Sequence, residues 1–227
     1  MRANEILKLV EGPNVLDIGC AGHVVRPDSP DWLHGRLRAK FTVAGIDTSE
    51  QNISYMRRLG YDDLHVQSAD TFDLGRRFDT IVAGELIEHV SNPGQFFARV
   101  RAHLIPGGRL VLSTPYVFSL MYTLYAAYHF PVTCENGEHT CWFCPSTIAE
   151  LARRESLEVE SWRLVDDYSG SVTSLKYRLY WLLVRSLGRL LPDRFTKTNM
   201  VVVLRLKDQL SHALDSQHSQ LLSEAGR

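Results

Sequence analysis

The run Val15-Leu16-Asp17-Ile18-Gly19-Cys20-Ala21-Gly22 constrains this chain more than any other stretch, and it is answered by Val43-Ala44-Gly45-Ile46-Asp47. The first is an apolar run ending in a turn of small residues; the second is an apolar run ending in an acid. In α/β sheets that pairing holds a nucleoside, because small residues let the backbone approach the ligand and the distal carboxylate takes the ribose hydroxyls. A dinucleotide turn of the form Gly-x-Gly-x-x-Gly counted from Gly19 needs glycine at 21 and 24. Ala21 and Val24 stand there, which weakens a nicotinamide-dependent oxidoreductase reading.

The surrounding pattern predicts a Rossmann-like, mostly parallel sheet with helices on both faces. Val15 to Gly19, Val43 to Asp47, Leu64 to Ser68, Phe78 to Ala83 and Gly108 to Thr114 read as strands. Glu50 to Leu59 and Pro93 to His103 read as helices between them, the second carrying Phe96, Phe97, Val100 and Leu104 on one face. Pro106-Gly107-Gly108 reads as the turn between that helix and the fifth strand. Further on, Cys144-Pro145 opens a helix to about Arg154, and Leu157 to Leu164 and Asn199 to Leu206 supply a sixth and a seventh strand.

Composition excludes several classes. At 227 residues the chain suits one domain with a sizeable core, here taken as 1–207, followed by a polar tail over 208–227. A net charge of −1 gives no reason to expect a nucleic-acid partner. Four cysteines do not suggest a disulfide framework, and charges fall early in Met1-Arg2-Ala3-Asn4-Glu5, so a cytoplasmic location is expected. The uncharged stretch Leu110 to Cys134 is broken by Pro115 and Pro131 and is rejected as a membrane span.

Four motifs, in order, resemble the class I S-adenosylmethionine-dependent methyltransferases, in particular the methyltransferase-domain group that includes ubiquinone-type O-methyltransferases. They are Val15 to Cys20, Gly45-Ile46-Asp47, Phe78 to Ala83, and Pro106 to Pro115. The resemblance implies a seven-stranded sheet with an antiparallel last strand, and S-adenosyl-L-methionine as cofactor. It places Asp17 at the methionine amino group, with Gly19, Cys20 and Ala21 offering backbone to the methionine and ribose. Asp47 would chelate the ribose hydroxyls, while Asp70 would accept from the adenine amino group and Ala69 pack on the ring. Ala83, Gly84 and Glu85 would line the methyl-transfer side. The chain departs from the family pattern at Ala21 and His23, where glycine is common. A non-catalytic module that keeps the fold and binds a partner is the opposing reading.

Glu85-Leu86-Ile87-Glu88-His89 follows the fourth strand. As a helix it would put Glu85, Glu88 and His89 on one face. Two carboxylates and an imidazole, with His139 as a fourth ligand, can hold magnesium or manganese, as similar clusters do in some relatives. The favoured reading has no metal: Glu85 contacts the cofactor region, Glu88 and His89 are polar helix residues, and His89 or His139 can serve as general base.

Residues 116–144 form an aromatic insertion with Tyr116, Phe118, Tyr122, Tyr125, Tyr128, Phe130, Trp142 and Phe143, a candidate for recognising a small-molecule or lipid-like acceptor and equally a lid on the sheet. Cys134, His139, Cys141 and Cys144 offer a zinc set, but structural zinc sites draw on two separated ligand pairs, and the resemblance makes Cys144 a replacement for a helix-capping Ser. Ser174 to Arg194 reads as a basic, apolar helix, suited to covering the sheet or to touching a membrane surface.

Overall fold

The computed structural model describes residues 2–22, 25–29, 31–128, 137–166, 182, 186 and 190–207. Among them, β1 (Asn14–Ile18), β2 (Thr42–Asp47), β3 (Leu64–Val66), β4 (Phe78–Gly84), β5 (Leu104–Pro115), β6 (Leu157–Val165) and β7 (Asn199–Leu206) form one sheet in the order β3-β2-β1-β4-β5-β7-β6. The first five strands run parallel, and β7 lies antiparallel between β5 and β6, as expected. Strand order reverses between β1 and β4, and such a switch point opens a crevice at the carboxyl edge.

The strands are near-continuous apolar runs because both faces are covered. Leu16, Ile18, Ile46, Ile81, Leu110 and Leu112 pack on one side with Phe96, Phe97 and Ile148. Val15, Val43, Val82, Val111, Val201 and Val203 pack on the other with Ile6, Leu7 and Leu37.

Helix α1 spans Arg2–Leu9, α2 Leu33–Arg38, α3 Glu50–Arg58, α4 Pro93–His103, α5 Leu120–Tyr128 and α6 Pro145–Arg154. Local chemistry sets the starts of three. Ser49 accepts the Asn52 N–H at 3.2 Å to begin α3, and Asn92 accepts the Gln95 N–H at 3.1 Å to begin α4, with Pro93 in a position that needs no donor. At α6 the Cys144 N–H donates to Thr147 Oγ1 at 3.0 Å, so Cys144 stands at the helix cap. The face anticipated on α4, Phe96, Phe97, Val100 and Leu104, is fully buried.

Two expectations need correction. The fifth strand begins at Leu104 rather than Gly108, because Leu104 pairs with Phe78 before an irregularity lets Arg109 pair with Thr80. Pro106–Gly108 is therefore a break inside the strand's span, with Gly107 at φ +73°. Helices α1 and α2 were not anticipated. The segment expected as a helix over 174–194 lies outside the described residues except for Leu182, Ser186 and its last residues, which lead into a short helix at Asp193–Thr196, and the tail 208–227 lies outside them entirely. No helix among the described residues is long and apolar enough to cross a membrane.

Candidate functional site

A cavity of about 280 Å3 opens at the switch point, lined by Ile18, Gly19, Ile46, Asp47, Thr48, Gln67 to Asp70, Leu86 and His89 to Ser91. It is at the small end of the ~300–1,000 Å3 usual for ligand sites. The segments that follow β1, β2, β3 and β4 converge on it. Gly19 takes φ +78°, which side-chain-bearing residues rarely adopt, and a Cβ there would lie 3.1 Å from Leu86 Cδ1, so any other residue strains the loop between β1 and α2. The Gly19 and Cys20 N–H groups both donate to Ile46 C=O, at 2.8 and 3.1 Å.

Asp47 is held in place before any ligand arrives. Its Oδ2 accepts the Ala21 N–H at 3.1 Å and its Oδ1 accepts the Ser49 N–H at 2.9 Å. Each carboxylate oxygen keeps lone pairs for further donors on the cavity side. Across the opening, Ser68 Oγ donates to Asp70 Oδ1 at 2.6 Å, and Ala69 sits between them on the wall. Gly19, Asp47, Ala69 and Asp70 thus share one cavity.

Other residues expected at the cofactor lie behind it. Cys20 and Ala21 are buried under the loop with Ile53, Met56 and Leu64, and burial pushes the Cys20 thiol up, out of reach of ionisation. Ala83 is in the core beneath the crevice. Asp17 is 3% exposed and bonds His34 Nδ1 at 3.0 Å. His23 lies outside the described residues.

On the acceptor side the expected helix is absent. Only Ile87–His89 forms a turn of 3₁₀ helix, and Glu85 adopts φ +50°, so Glu85, Glu88 and His89 do not share a face. The Glu85 carboxylate instead accepts from Ser113 Oγ at 2.9 Å and Asn199 Nδ2 at 3.4 Å and pairs with Arg2 at 3.0 Å. Glu85 is thereby removed both from the cavity wall and from the ligand set.

Glu88, His89 and His139 do converge, each offering a ligand atom within 4.8 Å of the others. Thr140 brings His139 there. Its N–H donates to Glu88 C=O at 2.7 Å, and its hydroxyl lies 3.0 Å from that oxygen and 3.1 Å from Val90 C=O. The His89 and His139 rings then meet edge-on, 4.7 Å between centroids. Glu88 is 1% exposed; its Oε2 accepts from Thr114 Oγ1 at 2.9 Å, while its buried Oε1 has no hydrogen-bond partner. Burial pushes its carboxyl up to about 7, against the pull of its hydrogen bonds.

The aromatic insertion extends this cluster. His139 meets Trp142 at 5.7 Å, and Trp142 meets Tyr122 at 5.1 Å. Tyr116 and Phe118 pair at 5.8 Å, with Phe118 exposed, whereas Phe143 is in the core. The side chains of Tyr125, Tyr128 and Phe130 lie outside the described residues, as does Cys134. Among the described residues Cys141 and Cys144 do not join the Glu88–His89–His139 group.

Sequence reasoning missed Thr140, Thr114, Arg2, Trp32 and His34. Each acts through a bond to a residue distant in sequence. The nearest signal was Thr140, adjacent to a singled-out histidine, and Thr114, at the end of a recognised motif.

The model of a family described as "Methyltransferase domain" matches residues 2–161. The mitochondrial ubiquinone biosynthesis O-methyltransferase of Arabidopsis thaliana is 29% identical over 187 residues, covering 71% of this chain and 56% of that protein. The ubiquinone biosynthesis O-methyltransferase of Bradyrhizobium diazoefficiens is 37% identical over 115 residues, covering 48% and 42%. The chain thus spans about half the length of these curated relatives. The solved N-methyltransferase NodS of Bradyrhizobium japonicum, in complex with S-adenosyl-L-homocysteine, has the same fold: TM-score 0.55 at 15% identity, covering 90% of this chain and 85% of that one.

Proposed function

The chain belongs to the methyltransferase-domain family of class I S-adenosylmethionine-dependent methyltransferases, and from that footing we propose that it moves the sulfonium methyl of S-adenosylmethionine to an oxygen of a small or lipid-like molecule. The acceptor oxygen attacks the methyl carbon, the carbon–sulfur bond breaks towards sulfur, and S-adenosylhomocysteine leaves as the acceptor loses its proton. Catalysis of this kind rests mainly on aligning the two reactants in a dry pocket.

The pre-set Asp47 carboxylate carries the reading. Backbone donors fix both its oxygens at the edge of the crevice, where they suit a ribose diol. Asp70 and Ala69 suit the adenine, and Asp17, behind the loop, is the anion assigned to the methionine ammonium. His89, on the cavity wall, is the group assigned to take the acceptor proton. The ubiquinone biosynthesis relatives favour an oxygen acceptor.

A divalent cation has one observation in its favour, the buried and unsatisfied Glu88 Oε1 beside two imidazoles. One carboxylate and two imidazoles fit a first-row transition ion such as manganese better than magnesium. Bound by Glu88, His89 and His139, it would lower the pKa of an acceptor hydroxyl.

The test follows labelled methyl from S-adenosylmethionine into hydroxyl-bearing and amine-bearing acceptors, with and without chelation and metal add-back. Label on hydroxyls, with one S-adenosylhomocysteine per methyl, is the expected result. Transfer to amines alone overturns the oxygen assignment, and unchanged turnover after chelation removes the cation. If calorimetry detects no binding of S-adenosylmethionine, the fold serves as a binding module; binding of a nicotinamide dinucleotide instead would point to an oxidoreductase.

A further inference from the structure

Behind the nucleoside cavity the structure carries a buried carboxylate–imidazole pair whose histidine has no other hydrogen bond. His34, in the first turn of α2, is fully buried, and its Nδ1 lies 3.0 Å from Asp17 Oδ2, while its Nε2 is buried without a hydrogen-bond partner. A leucine of similar bulk would fill this space without burying a bare nitrogen, so packing alone does not account for the imidazole.

The surroundings are shaped around it. A Cβ on Gly45 would lie 3.0 Å from His34 Cε1 and 2.8 Å from Cys20 Sγ, so β2 gives up a side chain where the ring sits. Trp32 and Tyr61 flank the imidazole, each at 5.7 Å between centroids, and exclude water from it. The indole N–H of Trp32 donates to Cys20 C=O at 3.2 Å. Residues 32 and 34 therefore grip the loop between β1 and α2 at two points, its carbonyl and the carboxylate of the strand that launches it.

We propose that His34 is a positioning residue for cofactor binding, acting through Asp17: its Nδ1–H holds Asp17 as an oriented carboxylate that attracts the cofactor's ammonium. This rests on the S-adenosylmethionine reading above. The tautomer follows from the contacts, because Nε2 then carries only a lone pair, whereas an imidazolium would bury an unsatisfied N–H. Burial pushes the Asp17 carboxyl up, and the hydrogen bond from His34 pulls it back. The other ionisable groups facing the pair are Asp47 on β2, which raises Asp17 further, the Cys20 thiol from the loop, and the Tyr61 phenol after α3, backed by the Arg38 guanidinium.

The experiment titrates the intact protein calorimetrically with S-adenosylhomocysteine from about pH 6 to about pH 8, using wild type, His34→Leu, His34→Asn and Asp17→Asn. Wild-type affinity is expected to rise with pH as the Asp17 carboxyl, pushed up by burial, gives up its proton. His34→Leu moves that rise to higher pH and weakens binding about tenfold at neutrality, the worth of one hydrogen bond to a charged group. His34→Asn, which keeps a donor at the Nδ1 position, restores the wild-type profile, and Asp17→Asn flattens it. A His34→Leu protein with unchanged affinity and profile overturns the proposal. So does a loss that is equal at every pH and not rescued by Asn, the pattern of a structural role. Absence of binding by the wild type defeats the underlying cofactor reading instead.

Discussion

The two halves of the crevice are built differently. On the nucleoside side, carboxylates accept from donors close in sequence or one strand away: Asp47 takes the Ser49 and Ala21 N–H groups, and Asp70 takes the Ser68 hydroxyl. On the acceptor side, Ser113 and Thr114 reach Glu85 and Glu88 from the adjacent strand, but Thr140 reaches Glu88 from the insertion and Arg2 reaches Glu85 from α1. Turns fix the first half, so its geometry exists once the strands are laid down. Tertiary docking fixes the second, so it depends on the insertion closing over β4 and β5. Cofactor binding and acceptor chemistry should therefore separate under mutation.

The largest separation is expected at Asp47. Asp47→Ala removes the acceptor of two loop N–H groups and the partner assigned to the ribose, and should weaken S-adenosylhomocysteine binding about a hundredfold, as measured by calorimetry. The ion cluster on the other side should be left intact.

Glu88 tests the acceptor half through stability. Its carboxyl is pushed from the ordinary 4.5 up to about 7, so the folded state holds the proton more tightly than the unfolded chain does. Its neutral form carries no penalty below the unfolded value. The penalty grows as pH rises through that window and is complete once the folded group ionises. Glu88→Gln, which can still accept from Thr114, should stabilise the metal-free protein by about 2 kcal/mol above neutrality and by almost nothing near the unfolded value. Denaturant titrations at both pH values check this; an equal effect at each contradicts it.

Thr140→Val loses the hydroxyl contacts to the Glu88 and Val90 carbonyls and loosens His139. Turnover should fall about tenfold, with cofactor affinity unchanged, because misplacing a catalytic group costs rate rather than binding. If the cofactor affinity falls in step, the halves are coupled and the contrast fails.

Glu85→Gln should do least. Ser113 and Asn199 can still hold the side chain, and loss of the Arg2 pair should cost about 1 kcal/mol or less in a thermal melt. Cofactor affinity should stay put, since Glu85 is not among the residues that line the cavity. A marked loss would return Glu85 to the binding wall where the motif alone had placed it.

The contrast also explains what the amino-acid sequence disclosed. The strands, α3, α4 and α6 were legible because continuous apolar runs, the helical spacing of Phe96, Phe97, Val100 and Leu104, and Pro145 signal themselves locally. Of the cavity residues, Gly19 and Asp47 were legible for the same reason, while Ala69 and Asp70 came from the family resemblance. Helix α2 was not, being six residues long with Gly35 inside it, too short to carry a period. With α2 unseen, His34 could not be matched to Asp17. The backbone reversal at Glu85 was equally hidden, because a positive φ in a non-glycine residue is imposed by tertiary contacts rather than by composition. The Glu88–His89–His139 group was anticipated in part; which acid belonged to it depended on that reversal.

A structure of the protein with S-adenosylhomocysteine bound tests the central claim most directly. The account predicts the ribose hydroxyls on Asp47, the adenine between Ala69 and Asp70, and the sulfur directed toward Glu88, His89 and His139. A nucleoside bound away from Asp47, or a sulfur pointing away from that cluster, would contradict it.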